Sequence, residues 1–483
     1  MKSRVTKECC FYLAKYFLLI FLLFFTHAIF ASDAEWTVLV YVQANNNLKN
    51  FAQRNFADMA SIGSSENLNI LMQSYFPQIN GTSRYKIEKG KMVLDAHLSA
   101  NSDGTTARDL VDAMRWAVTK YPAKKYALIL WNHGVGILDP AWGNKSPYQT
   151  TQKFYIEPAL LDVSPRIQIE GLTFDATTLD TRQTLTYCQS DIDLTSAQEI
   201  EKILRDTEEQ VKNGAKLEEY LIRGILFNEQ SRNYMTNQAL TDALYEIKTS
   251  ILKNNKIDVL GMDACLMAMI EVGYQAKNFA HYLIASEEAE LAHGWDYAAL
   301  CDVLSSKNCS PAQVAQGVVL AYEMFYKNKI QFYTQSAIDL KCMDDLKKSV
   351  DDFVYNIKLC KNIDKTLTDQ IVRKARSLCL QFSATNYVDL HSYCSELLNQ
   401  IDAFKNNQSV NKREFVNLKN SLVKTNKSIE QSVIANVSGK QFLNAKGLSI
   451  YFPKSHIEQS YLQSDFGKNS AWTNFILDNI KNN

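Results

Sequence analysis

Two stretches of the sequence alternate between helical and strand patterns, and this alternation predicts a sheet of largely parallel strands. The first begins with "TARDLVDAMRWAVTKYPAKK" (106–125), which spaces its apolar residues as a helix does and reaches Pro122 near its end. "YALILWNHGVG" (126–136) follows at once as a continuous apolar run, which is typical of a strand buried on both faces. The same order recurs between residues 237 and 291. The sequence therefore predicts an α/β fold with a mostly parallel central sheet.

The remaining patterns divide the chain into two parts. Residues 35–305 form the predicted α/β domain, with an insertion over about 140–233 where the alternation is lost. Residues 310–483 are predicted to be mostly helical, with a returning strand at 445–453. The other predicted elements are strands at 35–48, 67–76, 257–262 and 281–291, a hairpin around Gly90, and helices at 50–62, 237–252 and 266–277.

Composition restricts the class of partner. Two domains fit a length of 483 residues, and 52 basic residues balance 52 acidic ones. Such a chain has no overall field to attract nucleic acid or anionic lipid, so we expect neither as a partner.

The N-terminus has the layout of a secretory signal peptide. Lys2, Arg4 and Lys7 precede an apolar run from Tyr16 to Phe25, and small residues place a candidate cleavage site close to Ala31. The alternative is an uncleaved anchor, because 11–30 is nearly long enough to span a bilayer. We interpret 1–31 as a leader and expect an exported, secreted or periplasmic protein without a membrane segment after cleavage.

Eight of the ten cysteines follow the leader, and an oxidising compartment would permit disulfides among them. No C-x-x-C occurs and no His/Cys cluster has zinc spacing, so we predict no metal site.

Two predicted strands end on residues capable of nucleophilic chemistry. "YALILWNHG" ends on His133, and "IDVLGMDAC" ends on Cys265. Ligands of open parallel sheets bind outside the carboxyl ends of the strands. If the two strands are neighbours, the imidazole and the thiol share one crevice, and such a pair is the minimum for a cysteine nucleophile with its base.

Two further features of these joints favour catalysis. A helix predicted from Leu266 places Cys265 at a helix N-terminus, whose field favours a thiolate. Gly134 permits a sharp turn, so the N–H groups of Gly134 and Cys265 could form an oxyanion hole. The alternative for Cys265 is a small buried hydrophobic residue at a strand-to-helix joint.

Other cysteines and histidines are weaker candidates. Cys301 and Cys309 have no histidine nearby, so a mutual disulfide or burial fits them better. His293 precedes a glycine and is interpreted as a pocket-wall residue or a second-choice base.

Acidic residues near the second joint bear on substrate choice. Asp263 lies two residues before Cys265, and a carboxylate there would bind a basic substrate side chain. The alternative for Asp263 is a helix N-cap. Asp296 is a second candidate, and the acids of "SEEAEL" either join the pocket or are solvated.

The ordered set of these motifs resembles the clostripain-like cysteine peptidases, relatives of caspases, gingipains and legumains. The residues that carry the resemblance are "WTVLVYVQANNNL", "LILWNHGVG", "IDVLGMDACLMAMIEV", "IASEEAELAHGWDY" and "GLSIYFP", which are spread from Trp36 to Pro453.

The resemblance implies a caspase-like αβα sandwich in which His133 is the catalytic histidine, Cys265 the nucleophile and Asp263 part of a pocket for Arg or Lys. Some members process themselves between the histidine and the cysteine. By that analogy Lys145 and Lys153 are candidate processing sites, with Arg166 and Arg182 as alternatives. Some members also need calcium, so calcium is an expected cofactor by resemblance alone, and no other cofactor is expected.

We therefore predict a secreted cysteine endopeptidase that acts on proteins or peptides. One alternative is a catalytically silent binding or adhesion protein whose recognition surface is the helical C-terminal region. The other is a cysteine acyl hydrolase or transpeptidase of different specificity.

Overall fold

A ten-stranded mixed sheet forms the centre of the molecule. The computed structural model describes residues 34–76, 81–98, 102–139 and 225–481, together with the backbone of strand 184–186. The strands are β1 (Ala34–Gln43), β2 (Leu68–Tyr75), β3 (Thr82–Glu88), β4 (Lys91–His97), β5 (Ala123–Trp131), β6 (Thr184–Thr186), β7 (Ile257–Asp263), β8 (Ala280–Ala285), β9 (Thr334–Asp339), β10 (Tyr387–Asp389), β11 (Val433–Ser438) and β12 (Ser449–Tyr451).

The core of the sheet is parallel, as predicted. Strands β2, β1, β5, β7 and β8 lie side by side in that order, and each neighbouring pair is parallel. Antiparallel strands extend both edges, with β3, β4 and β6 beyond β2 and with β9 and β11 beyond β8. The hairpin predicted around Gly90 is the β3–β4 turn.

The helices are α1 (Lys49–Ile62), α2 (Ala107–Lys120), α3 (Asn237–Glu246), α4 (Ile270–Ala276), α5 (Tyr297–Ser305), α6 (Pro311–Tyr326), α7 (Met343–Ile363), α8 (Lys365–Leu378), α9 (Leu390–Ala403), α10 (Arg413–Ser432), α11 (Gln459–Gln463), α12 (Asp465–Asn469) and α13 (Trp472–Lys481). A π-helical turn, Ile247–Ile251, continues α3.

The helices cover both faces of the sheet. From β1 the chain crosses through α1 to β2 on one side, whereas α2 leads to β5 on the other side. Because parallel crossovers are right-handed, α1 and α2 lie on opposite faces. Helix α5 contacts α1, while α3 contacts both α2 and α4. The strand order reverses at β1, which places the crevice of such a sheet at the carboxyl ends of β1 and β5.

The C-terminal region is mostly helical, but it also contributes strands to the main sheet. Helices α7, α8, α9 and α10 pack in a closed ring in which each contacts the next. The chain supplies β9 to the main sheet just before α7 and β11 just after α10, while β10 and β12 form a separate antiparallel pair. The strand predicted at 445–453 is therefore β12, which is shorter and lies outside the main sheet.

Strand β9 was not predicted, because its sequence lacks the usual apolar signal. All six residues of "TQSAID" are buried, although Thr334, Gln335 and Ser336 are polar. Some of these side chains make hydrogen bonds inside the fold: the Oγ1 of Thr334 lies 2.8 Å from the Oγ of Ser286, and Ser336 donates to the carbonyl of Gly447 over 2.8 Å. A strand whose polar side chains are buried does not show the alternation of a half-exposed one.

The helix predicted over 266–277 begins later than expected. Helix α4 spans only Ile270–Ala276, so Cys265 does not stand at its N-terminus. Leu266 has φ +65°, and its N–H donates to the carbonyl of Glu288 over 3.1 Å. The segment before α4 thus bonds to a neighbouring loop instead of forming a helical ladder. The prediction that a helix N-terminus ionises the thiol is wrong.

Candidate active site

The strands that end on His133 and Cys265 are direct neighbours. In the parallel pairing of β5 with β7, Trp131 lies opposite Asp263 at the last position of each strand. His133 and Cys265 each follow two residues later. The two candidate residues therefore leave adjacent strands at the same level of the same sheet edge, as the sequence predicts.

The loops that carry the two residues pass within contact distance. A Cβ atom built on Gly134 would lie 2.6 Å from the carbonyl oxygen of Cys265 and 3.1 Å from Cβ of Ala264. Only a residue without a side chain permits this approach. Neither the Gly134 N–H nor the Cys265 N–H donates to another residue of the described part of the chain. Both donors remain available to a ligand.

A residue that the sequence did not indicate orients the histidine. His133 is buried, and its Nε2 lies 2.9 Å from Oδ1 of Asn47. Asn47 belongs to the "NNN" run that follows β1, the strand next to β5. In the sequence, the asparagine run indicates only that a strand ends. The pairing of β1 with β5 brings the run close to His133, and the hydrogen bond identifies Asn47 as the partner of the imidazole.

Asn132 fixes the backbone on which His133 stands. Its Oδ1 accepts from the N–H of His133 and, over 3.0 Å, from the N–H of Phe227. Its Nδ2 donates to the carbonyls of Gln43 and Phe227. The carboxamide therefore connects the His133 loop, the end of β1 and the last part of the predicted insertion.

The Cys265 thiol is covered by the loop that follows β8. Its Sγ accepts from the N–H of Glu290 over 3.2 Å. Burial raises the pKa of this thiol to about 12, and the charges of Glu290, Glu288 and Asp263 raise it further, against the lowering effect of the Glu290 hydrogen bond. In this conformation the thiol is protonated at neutral pH.

Asp263 is buried next to the thiol. Tyr297 donates its hydroxyl to Oδ2 over 2.9 Å, and the N–H of Trp295 lies 3.3 Å from the same oxygen. Burial raises the pKa of Asp263 to about 7, while these two hydrogen bonds lower it. Gly294 has φ +67°, and a Cβ there would lie 2.5 Å from Oδ2. The carboxylate is thus held by the loop between β8 and α5.

The other acids of this loop have separate structural partners. Asp296 is the N-cap of α5 and accepts from the N–H of Ala299 over 2.9 Å. Glu287 accepts from the N–H of Gly447, and Glu288 accepts from the N–H of Ser383, each over 2.9 Å. Glu287 and Glu288 are buried, so they are not solvated acids, and they tie the loop to the C-terminal region.

His293 packs into the protein interior. Its ring stacks on Phe325 with a centroid separation of 4.7 Å. Burial lowers its pKa to about 3, and the positive charges of Arg54 and Lys329 lower it further. A histidine held neutral against α6 fits the interpretation as a wall residue better than that as a second base.

The described cysteines are all free thiols, namely Cys265, Cys301, Cys309, Cys342, Cys360, Cys379 and Cys394. Cys301 and Cys309 are therefore not bonded to each other, and Cys301 is buried. In the described ranges, no three His, Cys, Asp or Glu side chains converge where a metal ion could be held.

Comparison with known families agrees with this geometry. The profile that defines the clostripain family, Peptidase_C11, matches residues 40–153 and 200–479. The chain belongs to the clostripain family. Membership of this family makes it a cysteine-type peptidase. No curated protein sequence matches the chain.

Solved structures of C11 proteases share the fold of this chain over about nine tenths of its length. An inactive zymogen C11 protease from Parabacteroides distasonis aligns with a TM-score of 0.53 at 16% identity, covering 90% of this chain and 98% of that one. A secreted C11 cysteine protease from Bacteroides thetaiotaomicron, in complex with an irreversible peptide inhibitor, aligns with a TM-score of 0.54 at 18% identity, covering 91% and 99%. The predicted caspase-like fold is confirmed.

Several predictions fall on residues outside the described ranges. They are the leader at 1–31, most of the insertion at 140–233, and the candidate processing residues Lys145, Lys153, Arg166 and Arg182. No helix within the described ranges has both the length and the apolar character to cross a membrane.

Proposed function

We propose that this protein is an exported cysteine endopeptidase that cleaves peptide bonds after arginine or lysine, with Cys265 as nucleophile and His133 as base. The observation that carries the proposal is the register of β5 and β7, which brings both residues to the same sheet edge. The contact of Gly134 with the backbone of Cys265 supports it, because the two loops form one surface.

The proposed reaction proceeds through a thioester. The Cys265 thiol passes its proton to His133 while the sulfur attacks the scissile carbonyl carbon. The N–H groups of Gly134 and Cys265 hold the resulting oxyanion. His133 then protonates the leaving amine as the C–N bond breaks, and the amine product departs.

Deacylation reverses these roles. His133 takes a proton from water while the water oxygen attacks the thioester carbonyl. The C–S bond breaks, the carboxylic acid product leaves, and the proton returns to the sulfur. No step of this mechanism is assigned to a metal or another cofactor. Calcium, expected only from family resemblance, enters as an assay variable.

Asn47 is the residue we propose to orient the base. Its Oδ1 lies 2.9 Å from Nε2 of His133, and we assign the proton transfer to Nδ1. An imidazole held at one nitrogen keeps a fixed ring orientation. Asn47 therefore acts as a positioning residue and does not contact the reacting atoms.

Specificity for a basic residue rests on Asp263. It is close enough to the nucleophile for its charge to raise the pKa of the Cys265 thiol, and it is buried, so a substrate cation would meet it away from bulk water. Asp296 was the second candidate for this role. Because it caps α5, we give it only a supporting part in shaping the loop.

Export and processing complete the proposal. The basic, apolar and small-residue order of residues 1–31 supports a cleaved leader. Self-processing at Lys145 or Lys153 is proposed from family resemblance, and both lysines match the proposed basic specificity.

A panel of matched peptides tests the proposed function. Peptides that differ only in Arg, Lys, Asp or Asn before the scissile bond are incubated with the purified protein, with and without calcium and reductant. We expect cleavage after Arg or Lys that is lost in Cys265→Ala and retained in the control Cys342→Ala, whose sulfur lies at the start of α7. Cleavage only after Asp or Asn would refute the role of Asp263.

An acyl transferase is the second candidate, because the same thioester can react with an amine instead of water. Mass spectrometry of the peptide products distinguishes the two. A free carboxylic acid supports the peptidase, whereas an amide formed with an added amine as the main product supports transfer.

A further inference from the structure

Glu290 connects the nucleophile with the acid that we propose to recognise the substrate. Its N–H donates to Cys265 Sγ over 3.2 Å. Its carboxylate lies near Asp263, since burial and then the charge of Asp263 raise the pKa of Glu290 well above its usual value. One residue therefore contacts the thiol through its backbone and interacts electrostatically with Asp263 through its side chain.

The hydrogen-bonding capacity of the Glu290 carboxylate is unused within the described residues. Both carboxylate oxygens are shielded from solvent, and neither makes a hydrogen bond of normal geometry with a described residue. Tyr322, Ser286 and Trp295 lie close enough to favour its charged form without reaching that geometry. Trp295 is 1% exposed, and its Nε1 also has no partner among the described residues. Buried carboxylates normally have such partners, so the two unpartnered oxygens of Glu290 could accept hydrogen bonds from donors that a ligand supplies.

The same acids oppose ionisation of the nucleophile. Glu290, Glu288 and Asp263 are the acids whose charges act on the Cys265 thiol, and a thiolate would add another negative charge to this buried group. Glu288 is already paired with the N–H groups of Ser383 and Ala289. The hydrogen bonds of the Asp263 carboxylate within the described residues all go to Oδ2, so its Oδ1 and the Glu290 carboxylate are the acceptors left for a substrate cation.

We infer that the guanidinium or ammonium group of the substrate binds between Asp263 and Glu290 and thereby allows the Cys265 thiol to ionise. The basic residue of the substrate would then activate the nucleophile that cleaves the peptide bond after that residue. A cation between the two carboxylates removes the repulsion that a thiolate would meet, and the thiol proton then passes to His133. This inference rests on the proposed function and adds that basic specificity acts on reactivity as well as on binding. Peptides without a basic residue would leave the thiol protonated even when they bind.

Alkylation of Cys265 measures this effect without substrate turnover. The rate of modification by iodoacetamide is followed against pH by mass spectrometry of the peptide that contains Cys265, which separates it from the other thiols. Butylguanidinium serves as the cation, and butylurea serves as its uncharged counterpart of similar shape. We expect saturating butylguanidinium to lower the apparent pKa of alkylation by about one unit, which is about a tenfold faster reaction below that pKa. Butylurea should leave the rate unchanged.

Two variants assign the effect. Glu290→Gln lacks one of the two carboxylates that would hold the cation, so butylguanidinium should change its alkylation rate by less than about threefold. Glu288→Gln removes a neighbouring charge that is paired with backbone, so it should retain the acceleration by butylguanidinium. Loss of the acceleration in Glu288→Gln but not in Glu290→Gln would overturn the assignment. Thermal unfolding checks that both variants are folded. The comparison of butylguanidinium with butylurea uses the original protein alone, so it does not depend on either variant folding.

Failure of this inference can be told apart from failure of the proposed function. If butylguanidinium inhibits cleavage of Arg peptides competitively but leaves alkylation unchanged or slows it, the basic pocket stands and its coupling to the thiol is refuted. If Arg and Lys peptides are not cleaved and butylguanidinium does not inhibit, the proposed specificity itself fails and the inference fails with it.

Discussion

At the scale of single residues, the site depends on side chains that hold other side chains. His133 is oriented by Asn47, its backbone is fixed by Asn132, and the Cys265 sulfur is contacted by the backbone of Glu290. Neither Asn47 nor Asn132 needs to touch substrate for its loss to reduce the rate, because a displacement of about 1 Å in a reacting group costs about a hundredfold.

The contact between Asn47 and His133 yields a specific prediction. Asn47→Ala should lower kcat by about ten- to a hundredfold with little change in KM, because the base loses its orientation while the substrate pocket is intact. Asn47→Asp should move the acid limb of the kcat/KM profile up by about one pH unit, because a carboxylate favours the imidazolium. Steady-state kinetics across pH measures both.

Asn45 provides the matched control for that experiment. Its side chain bonds to Asn228 and Gln230, and no hydrogen bond joins it to the described imidazole. Asn45→Ala should keep the pH profile of the original protein. An Asn47→Asp profile identical to that of the original protein would show that Asn47 does not act on the histidine.

The sequence indicated the reactive residues but not their partners. His133 and Cys265 are visible because each follows an apolar strand of an alternating pattern. Asn47 is one of three consecutive asparagines, and its role depends on β1 lying next to β5. Glu290 lies in an acidic loop whose members have different partners, which no spacing rule separates.

At the scale of secondary-structure elements, the two loops at the ends of β5 and β7 form one unit. Their contact depends on Gly134, where a Cβ would lie 2.6 Å from the Cys265 carbonyl oxygen. Real Cβ atoms do not approach backbone so closely, so one of the two loops must move if a side chain is added.

We therefore expect Gly134→Ala to reduce kcat/KM by about a hundredfold while the protein stays folded. Gly273→Ala on α4 is the control, because the atom that its Cβ would meet, at 2.8 Å, is the flexible side-chain sulfur of Met343. Peptide cleavage and thermal unfolding are measured for both variants. Full activity of Gly134→Ala would show that the close approach of the loops is not needed.

The differences between predicted and observed elements have one physical cause. Elements were predicted from apolar periodicity, which works for β1, β5, β7 and the helices beside them. It failed for β9, whose buried residues are polar, and for residues 266–269, which are apolar but bond to the loop after β8 and to β12. Tertiary hydrogen bonds decided the structure in both places.

At the scale of the whole molecule, the C-terminal region forms part of the wall behind the site. Tyr387 donates its hydroxyl to the carbonyl of Val135 in the His133 loop over 2.5 Å. Ser383 and Gly447 donate to Glu288 and Glu287 in the loop that covers the thiol. The sequence predicted a separate helical region, because contacts between distant segments leave no periodic signal.

Glu271 is a further link between the two parts, and its burial predicts a pH dependence of stability. It is on α4, and its Oε1 accepts from the N–H of Tyr451 in β12 over 2.9 Å. Burial raises its pKa from 4.5 to about 8. For an acid whose pKa is raised by folding, the contribution to stability is complete below pH 4.5 and is lost as the pH rises to about 8.

Glu271→Gln should therefore flatten the decline of stability across that window. The free energy of unfolding of the original protein should fall by up to about 1.4 kcal/mol more per pH unit than that of the variant. Denaturant unfolding at several pH values measures both slopes. Equal slopes would show that Glu271 is not buried as an acid.

The most direct test of the proposed chemistry is covalent labelling of the nucleophile. A peptidyl acyloxymethyl ketone that ends in arginine is incubated with the protein, and the adduct is located by mass spectrometry. We predict one adduct, on Cys265, that forms much more slowly with an otherwise identical compound ending in aspartate and does not form in His133→Ala. An adduct on another cysteine, or equal labelling by both compounds, would contradict the assignment of Cys265 as the nucleophile of a peptidase specific for basic residues.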